Sequence, residues 1–280
     1  MMSLSATLDK IDADLDASLD RLMAFLRIPS ISTDPAYKSE CDAAADWLMA
    51  DLRSIGIDAK KRPTPGHPMV VGHVEGPSGA PHVLFYGHYD VQPVDPLDLW
   101  SAPPFEPRIE DQNGHKVLRA RGASDDKGQL MTFVEACRAW QAIHGELPCR
   151  ITFFFEGEEE SGSPSLIPFL KEHSDELQAD IALICDTGLA APGIPSIATQ
   201  LRGMVKEEFT LTGPNRDLHS GHYGAPGLNP LREMSKIIAS FHDVETGAVA
   251  IDGFYEGVTD ISEELRRQWS DSGFDKQDYL

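Results

Sequence analysis

The sequence has few cysteines and no long apolar run, and each shortage excludes a class of protein. Its four cysteines are scattered along 280 residues without a CxxC pair, so the pattern does not indicate a disulfide framework. No apolar run approaches the roughly 18 residues that a membrane span needs. The first residues turn acidic at once and lack the basic-then-apolar pattern of a signal peptide. These features predict a cytoplasmic protein with reduced thiols.

Basic residues are also scarce. The chain has 24 Lys and Arg against 45 Asp and Glu, which gives a formal net charge of -21. So acidic a surface repels phosphate backbones and anionic lipids, and we therefore expect neither nucleic acid nor a membrane as partner. It remains compatible with metal cations and with zwitterionic or cationic substrates. At roughly 150 residues per domain, the length predicts about two domains.

The periodicity of the apolar residues predicts an α/β fold. Apolar residues spaced three and four apart predict one helix from Leu8 to Leu26 and another from Ala44 to Ile55. Short apolar runs, typical of buried strands, then alternate with helical stretches, which predicts a mixed, largely parallel sheet flanked by helices. The predicted strands are Met69–Val74, His82–Gly87, Lys116–Arg121, Ile151–Phe155 and Asp180–Cys185, with helices at Gly128–Ile143 and Pro164–His173.

A domain boundary is predicted between Arg202 and Gly203. An alternating segment at Lys206–Leu211 predicts a strand, and a loop rich in Gly, Pro and His leads from it to a predicted helix at Leu231–Phe241. The pattern indicates a first domain over residues 1–202. A smaller α+β domain over residues 203–280 follows, and it looks incomplete.

Residue types that ligate metals follow four of the predicted strands. They are His88 and Asp90, Asp125 and Asp126, Glu156 with Glu158–Glu160, and Asp186. Taken singly, each has a simpler explanation as a structural histidine, a helix-capping aspartate or a solvated run of glutamates. Together, so many carboxylates at one edge of a sheet would repel one another unless a cation neutralises them. Imidazole and carboxylate ligands suit zinc, and also manganese or cobalt.

Five motifs carry a family resemblance. They are GHYDVQP, GASDDKG, EGEEESGS, the isolated Asp186 and DLHSGHYG, in this order. Together they resemble the signature blocks of the co-catalytic metallopeptidases, which include carnosinases, carboxypeptidase G, aminoacylase and succinyl-diaminopimelate desuccinylase. GHYDVQP followed by LWSAPPFEP is most similar to the carnosinase and non-specific dipeptidase branch. The resemblance implies a zinc-peptidase-like catalytic domain and a lid domain that forms homodimers.

The resemblance also implies a set of metal ligands. His88 and Asp186 would hold one Zn²⁺, and Asp125 would bridge it to a second. Glu160 would hold the second ion, together with a histidine that the family supplies from a later stretch. Because the chain ends at Leu280 before such a stretch, it is interpreted as an N-terminal fragment. On its own we expect it to be inactive and to bind the second metal poorly.

Three further residues receive catalytic roles from the resemblance. Glu159 would be the general base, Asp90 would fix the tautomer of His88, and His219 would reach the active site of the partner subunit. The Asp125–Asp126 peptide is expected to be cis. The chain alone leaves His219 open to a simpler explanation, as a loop histidine in a glycine-rich turn.

The function predicted from these features is metal-dependent hydrolysis of the amide bond of dipeptides or small peptides. A hydroxide shared by two metals would attack the carbonyl, with a glutamate as general base. One alternative is an N-acyl-amino-acid deacylase or desuccinylase on the same scaffold. A second alternative is a catalytically dead module that binds metal or mediates dimerisation.

Overall fold

The computed structural model of the chain describes residues 4–189 and 193–271. The chain divides into two compact units, Met1–Gly188 and Leu189–Leu280. The predicted boundary between residues 202 and 203 lies within the second unit. The roles assigned to the two domains remain a prediction.

The first unit alternates helices and strands. Its helices are α1 (Leu4–Ala13), α2 (Leu15–Leu26), α3 (Lys38–Ser54), α4 (Lys127–His144), α5 (Leu166–Glu172) and α6 (Ser174–Leu177). Its strands are β1 (Asp58–Arg62), β2 (Met69–Val74), β3 (His82–His88), β4 (Arg108–Gln112), β5 (His115–Arg119), β6 (Arg150–Glu156) and β7 (Ile181–Ile184).

Five of these strands form the central sheet, in the order β1-β2-β6-β3-β7. The pairs β1–β2 and β2–β6 are antiparallel, whereas β6–β3 and β3–β7 are parallel. The remaining strands, β4 and β5, form a separate antiparallel hairpin. The sheet is therefore mixed, and its parallel part lies on the β7 side.

Side chains of β6 alternate between the two faces of the sheet, as a strand buried on both sides requires. Phe153 and Phe155 pack with residues of α2, α3 and α4 on one face. Phe154 packs on the other face against Phe169 of α5 and Leu177 of α6. These contacts confirm the predicted α/β class, with helices on both faces.

Two predictions of local structure and one of strand placement were wrong. The first helix is two helices, because the chain breaks between Ala13 and Leu15. The strand predicted at Lys116–Arg121 belongs to the hairpin, so the loop that carries Asp125 does not follow a strand of the central sheet. Residues 206–211 have no regular secondary structure. A strand needs a hydrogen-bonded neighbour, and no sheet of the described residues reaches this segment.

The second unit contains α7 (Ser220–Tyr223), α8 (Pro230–Ala239) and α9 (Glu263–Asp271). Asn229 begins α8, because its side chain accepts hydrogen bonds from the amides of Leu231 and Arg232. Pro230 occupies the first turn, where a missing N–H costs nothing. Within residues 4–189 and 193–271, no helix combines the length and apolar character needed to cross a membrane.

Candidate metal centre

The parallel strands bring their carboxyl ends to one edge of the sheet. In the β3–β6 pair His88 lies opposite Glu156, and in the β3–β7 pair Tyr86 lies opposite Ile184. Continuing the second register by two residues places Asp186 opposite His88. Residues that follow β3, β6 and β7 therefore converge, as expected of ligand sites in sheets of this kind.

Three of the predicted ligands lie together at this edge. His88 Nε2 is 3.1 Å from Asp125 Oδ1 and 3.9 Å from Asp186 Oδ2. One ligand atom from each of the three side chains lies within 4.8 Å of the others. His88 is fully buried, whereas the two aspartates are exposed. One imidazole and two carboxylates are a donor set that suits a divalent cation such as zinc.

Asp125 reaches the site from the loop that precedes α4. The carboxylate of the next residue, Asp126, accepts a hydrogen bond from the main-chain amide of His88 over 3.0 Å. Gly87 makes this approach possible, because a Cβ at its position would lie 2.9 Å from Asp126 Oδ2. The Asp125–Asp126 peptide is cis, as predicted.

Lys127 anchors the start of α4 to the segment at the end of α2. Its side chain is fully buried, and its Nζ donates to the carbonyl oxygens of Phe25 and Ile28 over 3.2 and 2.7 Å. The ammonium also lies 4.7 Å from the centre of the Phe25 ring, a cation–π distance. The turn that carries Asp125 is thus attached to the C-terminal end of α2.

Asp90 connects the predicted metal ligand His88 to the predicted base Glu159. Its carboxylate is fully buried. Oδ1 lies 3.3 Å from His88 Nδ1 and 3.3 Å from the main-chain N of Glu159. Oδ2 accepts from the main-chain N of Glu160 over 3.1 Å and from Ser32 Oγ over 2.6 Å. His88 Nδ1 also lies 3.1 Å from the main-chain oxygen of Asp90. Nδ1 faces two oxygen acceptors and therefore carries a proton, while Nε2, which faces Asp125, is the nitrogen that a metal would use in place of its proton.

The glutamates of EGEEESGS have different roles and do not form a solvated run. Glu158 is buried, and its two carboxylate oxygens accept from the main-chain amides of His67 and Ser165, each over 3.0 Å. Glu160 accepts a hydrogen bond from the side-chain amide of Gln92 and is not part of the three-residue group around His88. Glu158 therefore stabilises two loops, while Glu160 faces the chain segment that follows β3.

The charges at the site change the proton affinities of its groups. Burial opposes protonation of His88, but the hydrogen bond and charge of Asp90 outweigh it and raise the pKa of His88 to about 10. Burial raises the pKa of Glu159, and the negative charge of Asp186 adds to this effect. A raised pKa makes a carboxylate a better proton acceptor at neutral pH.

His219 lies in the second unit, at the N-terminus of α7. Its Nδ1 accepts a hydrogen bond from the main-chain amide of Gly221 over 3.0 Å, and its ring lies 4.9 Å from that of His222. This cap explains the local conformation. The predicted role of His219 in catalysis stays a prediction.

Sequence reasoning missed the supporting side chains. Ser32, Lys127 and Gln92 all contact the site or the turn that carries it, yet none was singled out. Gln92 and Lys127 lie inside motifs that were noticed for their aspartates. Ser32 lies between the two predicted N-terminal helices, in a segment that carries none of the motifs. Their partners are distant in sequence, so local patterns carried no signal for these contacts.

The chain is similar in sequence to known dipeptidases. The chain is 28% identical over 287 residues to the Cys-Gly metallodipeptidase of Saccharomyces cerevisiae, and the alignment covers 97% of this chain and 59% of that protein. It is 34% identical over 224 residues to the cysteinylglycine-S-conjugate dipeptidase of Corynebacterium striatum, and this alignment covers 78% of this chain and 47% of that protein. The chain therefore spans less than two thirds of the length of these relatives.

Among solved structures, the chain resembles an M20 family metallo-carboxypeptidase of Sulfolobus solfataricus. The TM-score is 0.75 at 30% identity, covering 94% of this chain and 58% of that one. Residues 84–267, which include every predicted site residue, match the family described as peptidase family M20/M25/M40. The match extends over more than half of the sequence, and the chain belongs to this family.

Proposed function

We propose that this chain carries the metal centre and the general base of a metal-dependent dipeptidase. The observation that carries the proposal is the group formed by His88, Asp125 and Asp186, whose ligand atoms lie within 4.8 Å of one another. Two relatives are named as dipeptidases acting on cysteinylglycine or its conjugates. These names support a small peptide as the substrate class.

The proposed ligands hold two zinc ions in the whole protein, with manganese or cobalt as alternatives. His88 and Asp186 would hold the first ion, Glu160 would hold the second, and Asp125 would contribute to both. When bound, the ions supply Lewis-acid polarisation of the scissile carbonyl and lower the pKa of water. This assignment uses the four ligands that the resemblance implied within this chain.

The chain's own residues then move the proton. Glu159 accepts a proton from the attacking water and passes it to the leaving amine. Its main-chain amide donates to Asp90 Oδ1, so the same buried carboxylate holds both the base and the imidazole of His88. Placement of the base is therefore coupled to placement of the ligand.

Residues 203–280, which lie within the second unit, are proposed to begin a lid and dimerisation domain in a homodimer. The boundary between this domain and the catalytic domain is the predicted one, between residues 202 and 203. His219 serves the site of the partner subunit, where it helps to hold the oxygen of the carbonyl under attack. Exposed apolar side chains on α8, Leu231 and Ile238, are compatible with such an interface. All four cysteines are free thiols, which favours the cytoplasm as the compartment.

A substrate panel tests the proposal. The protein, as its gene encodes it, is loaded with Zn²⁺ and offered free dipeptides and N-acyl amino acids. We expect release of amino acids from the dipeptides only, with the Glu159→Gln variant as the inactive control. Faster turnover of N-acyl amino acids would establish a deacylase or desuccinylase. A protein that binds zinc but hydrolyses neither class would be a catalytically dead module.

A further inference from the structure

A serine in the segment between α2 and α3 contacts the carboxylate that supports His88. Ser32 Oγ donates to Asp90 Oδ2 over 2.6 Å. Among the described residues, the other donor to this oxygen is the main-chain amide of Glu160, at 3.1 Å. Asp90 itself is fully buried, so water does not replace a missing donor easily.

The segment around Ser32 is fixed to the end of β3 by its own hydrogen bonds. Ser30 Oγ donates to the carbonyl oxygen of Tyr89 over 2.7 Å, and the amide of Val91 donates to the carbonyl oxygen of Ser30 over 2.9 Å. Ile31 and Val91 form an isolated parallel bridge. These contacts attach the segment without using the hydroxyl of Ser32. The hydroxyl of Ser32 can therefore act on Asp90 alone.

The two oxygens of Asp90 have different partners, and this division determines what Ser32 does. Oδ1 faces His88 Nδ1, whereas Oδ2 faces Ser32. A donor on Oδ2 limits rotation of the carboxylate about its Cβ–Cγ bond and so keeps Oδ1 directed at the imidazole. An imidazole whose second nitrogen is held in this way presents a fixed nitrogen to a metal.

We propose that Ser32 is a positioning residue of the metal centre, whose hydroxyl orients Asp90 and, through it, the imidazole of His88. The inference rests on the proposed function insofar as His88 is a metal ligand. Its consequence is that the affinity for a divalent cation depends on a hydroxyl that contacts neither the cation nor its ligands.

Zinc affinity is the first test. Wild type, Ser32→Ala, Ser32→Thr and Ser30→Ala are titrated with Zn²⁺ against a chromogenic chelator, and their thermal unfolding without metal is recorded. We expect Ser32→Ala to raise the dissociation constant roughly tenfold, the lower end of the range for outer partners of metal ligands. Ser32→Thr keeps the hydroxyl and should stay close to wild type.

Ser30→Ala is the matched control, since it removes a buried hydroxyl from the same segment without touching Asp90. We expect it to lower the thermal stability but to leave zinc affinity nearly unchanged. If Ser30→Ala weakens zinc binding as much as Ser32→Ala, rigidity of the segment is the cause and the proposal is wrong. The proposal also fails if Ser32→Thr loses as much affinity as Ser32→Ala.

A second measurement separates this inference from the proposed function. In the metal-free protein, the ring ¹⁵N and N–H resonances of His88 report the hydrogen bonding of Nδ1. We expect Ser32→Ala to shift them and Ser30→Ala to leave them in place. If wild type binds no zinc, the proposed metal centre fails, and the His88 resonances alone decide the role of Ser32. Unchanged resonances in Ser32→Ala would overturn it.

Discussion

The side-chain amide of Gln92 lies 2.5 Å from a carboxylate oxygen of Glu160. The main-chain amide of Glu160 donates to Asp90, and Asp90 precedes Gln92 by two residues. The short segment after β3 therefore holds Glu160 by its backbone and by its side chain. A predicted ligand of the second metal is thus oriented by the motif that also supplies His88.

Removing this amide is expected to weaken binding of the second metal. Gln92→Ala frees the carboxylate of Glu160 to rotate, and we expect a dissociation constant raised by about tenfold, measured by zinc titration of the whole protein. Gln112→Ala, which removes a glutamine from the β4–β5 hairpin, is the control. In a Glu160→Gln background the effect of Gln92→Ala should disappear. An unchanged effect there would show that Gln92 acts on another group.

Substitution of two neighbouring glutamates is expected to affect different properties, turnover for Glu159 and stability for Glu158. Glu159→Gln should lower turnover by about 10²–10⁴-fold, because it removes the proton acceptor, while metal content and thermal stability stay near wild type. Glu158→Gln places an amide group where main-chain amides of His67 and Ser165 donate. We expect it to lower the free energy of unfolding by about 1–3 kcal/mol. Turnover and urea denaturation, measured on both variants, check this contrast. Loss of metal from Glu159→Gln would instead make that residue a ligand.

A mixing experiment tests whether His219 serves the partner subunit. Subunits carrying His219→Ala are reassociated with subunits carrying Glu159→Gln, each inactive by itself. If His219 acts across the dimer, one site of the heterodimer lacks both groups and the other is intact. We therefore expect dipeptidase activity well above that of either parent. A mixture as inactive as its parents would place His219 at the site of its own chain.

An ion pair between α2 and α4 predicts a pH-dependent contribution to stability. Glu135 is 14% exposed, and Arg21 lies 2.6 Å from its Oε2. Burial opposes the charge of Glu135, but hydrogen bonds from Arg21 outweigh it and lower the pKa of this carboxylate below its ordinary 4.5. The stabilisation is therefore complete above pH 4.5 and is lost as the pH falls through the folded-state pKa.

We expect Glu135→Gln to lower the free energy of unfolding by about 1.5–3 kcal/mol at neutral pH, the range for hydrogen bonds to charged groups. The difference from wild type should shrink as the pH falls from 4.5 through the lowered pKa of the folded state, where the carboxylate of wild type also becomes neutral. Urea denaturation over a series of pH values measures it, with Glu172→Gln, at an exposed position, as the control. A difference that is constant with pH would show that the charge of Glu135 contributes nothing.

The parts of the site that could be predicted are those that follow strands. His88 and Asp186 lie at the ends of short apolar runs. Parallel pairing brings such ends together, independently of how the rest of the chain folds. Asp125 reached the site by a route the sequence did not reveal, since β5 belongs to a separate hairpin. Its motif identified the residue, although the strand assignment did not.

The supporting contacts could not be predicted, because they join positions far apart in sequence. The ammonium of Lys127 binds the carbonyl oxygens of Phe25 and Ile28, and no periodicity of α4 indicates that partner. The segment that follows β6 gives a second example, since a run of acidic letters does not reveal that Glu158 is buried. The loop at His67, which is distant in sequence, supplies one of the two main-chain donors that make this burial favourable.

The register between β3 and β7 has a consequence for folding. Side chains alternate between the faces of a strand, so a slip of β7 by one residue would turn Asp186 to the opposite face. Such a chain would keep every ligand in its sequence and nearly all of its secondary structure, yet the three donor groups would no longer meet. Zinc binding at the proposed centre would therefore distinguish correctly paired strands from a near-native misalignment, which circular dichroism would not separate from the native fold.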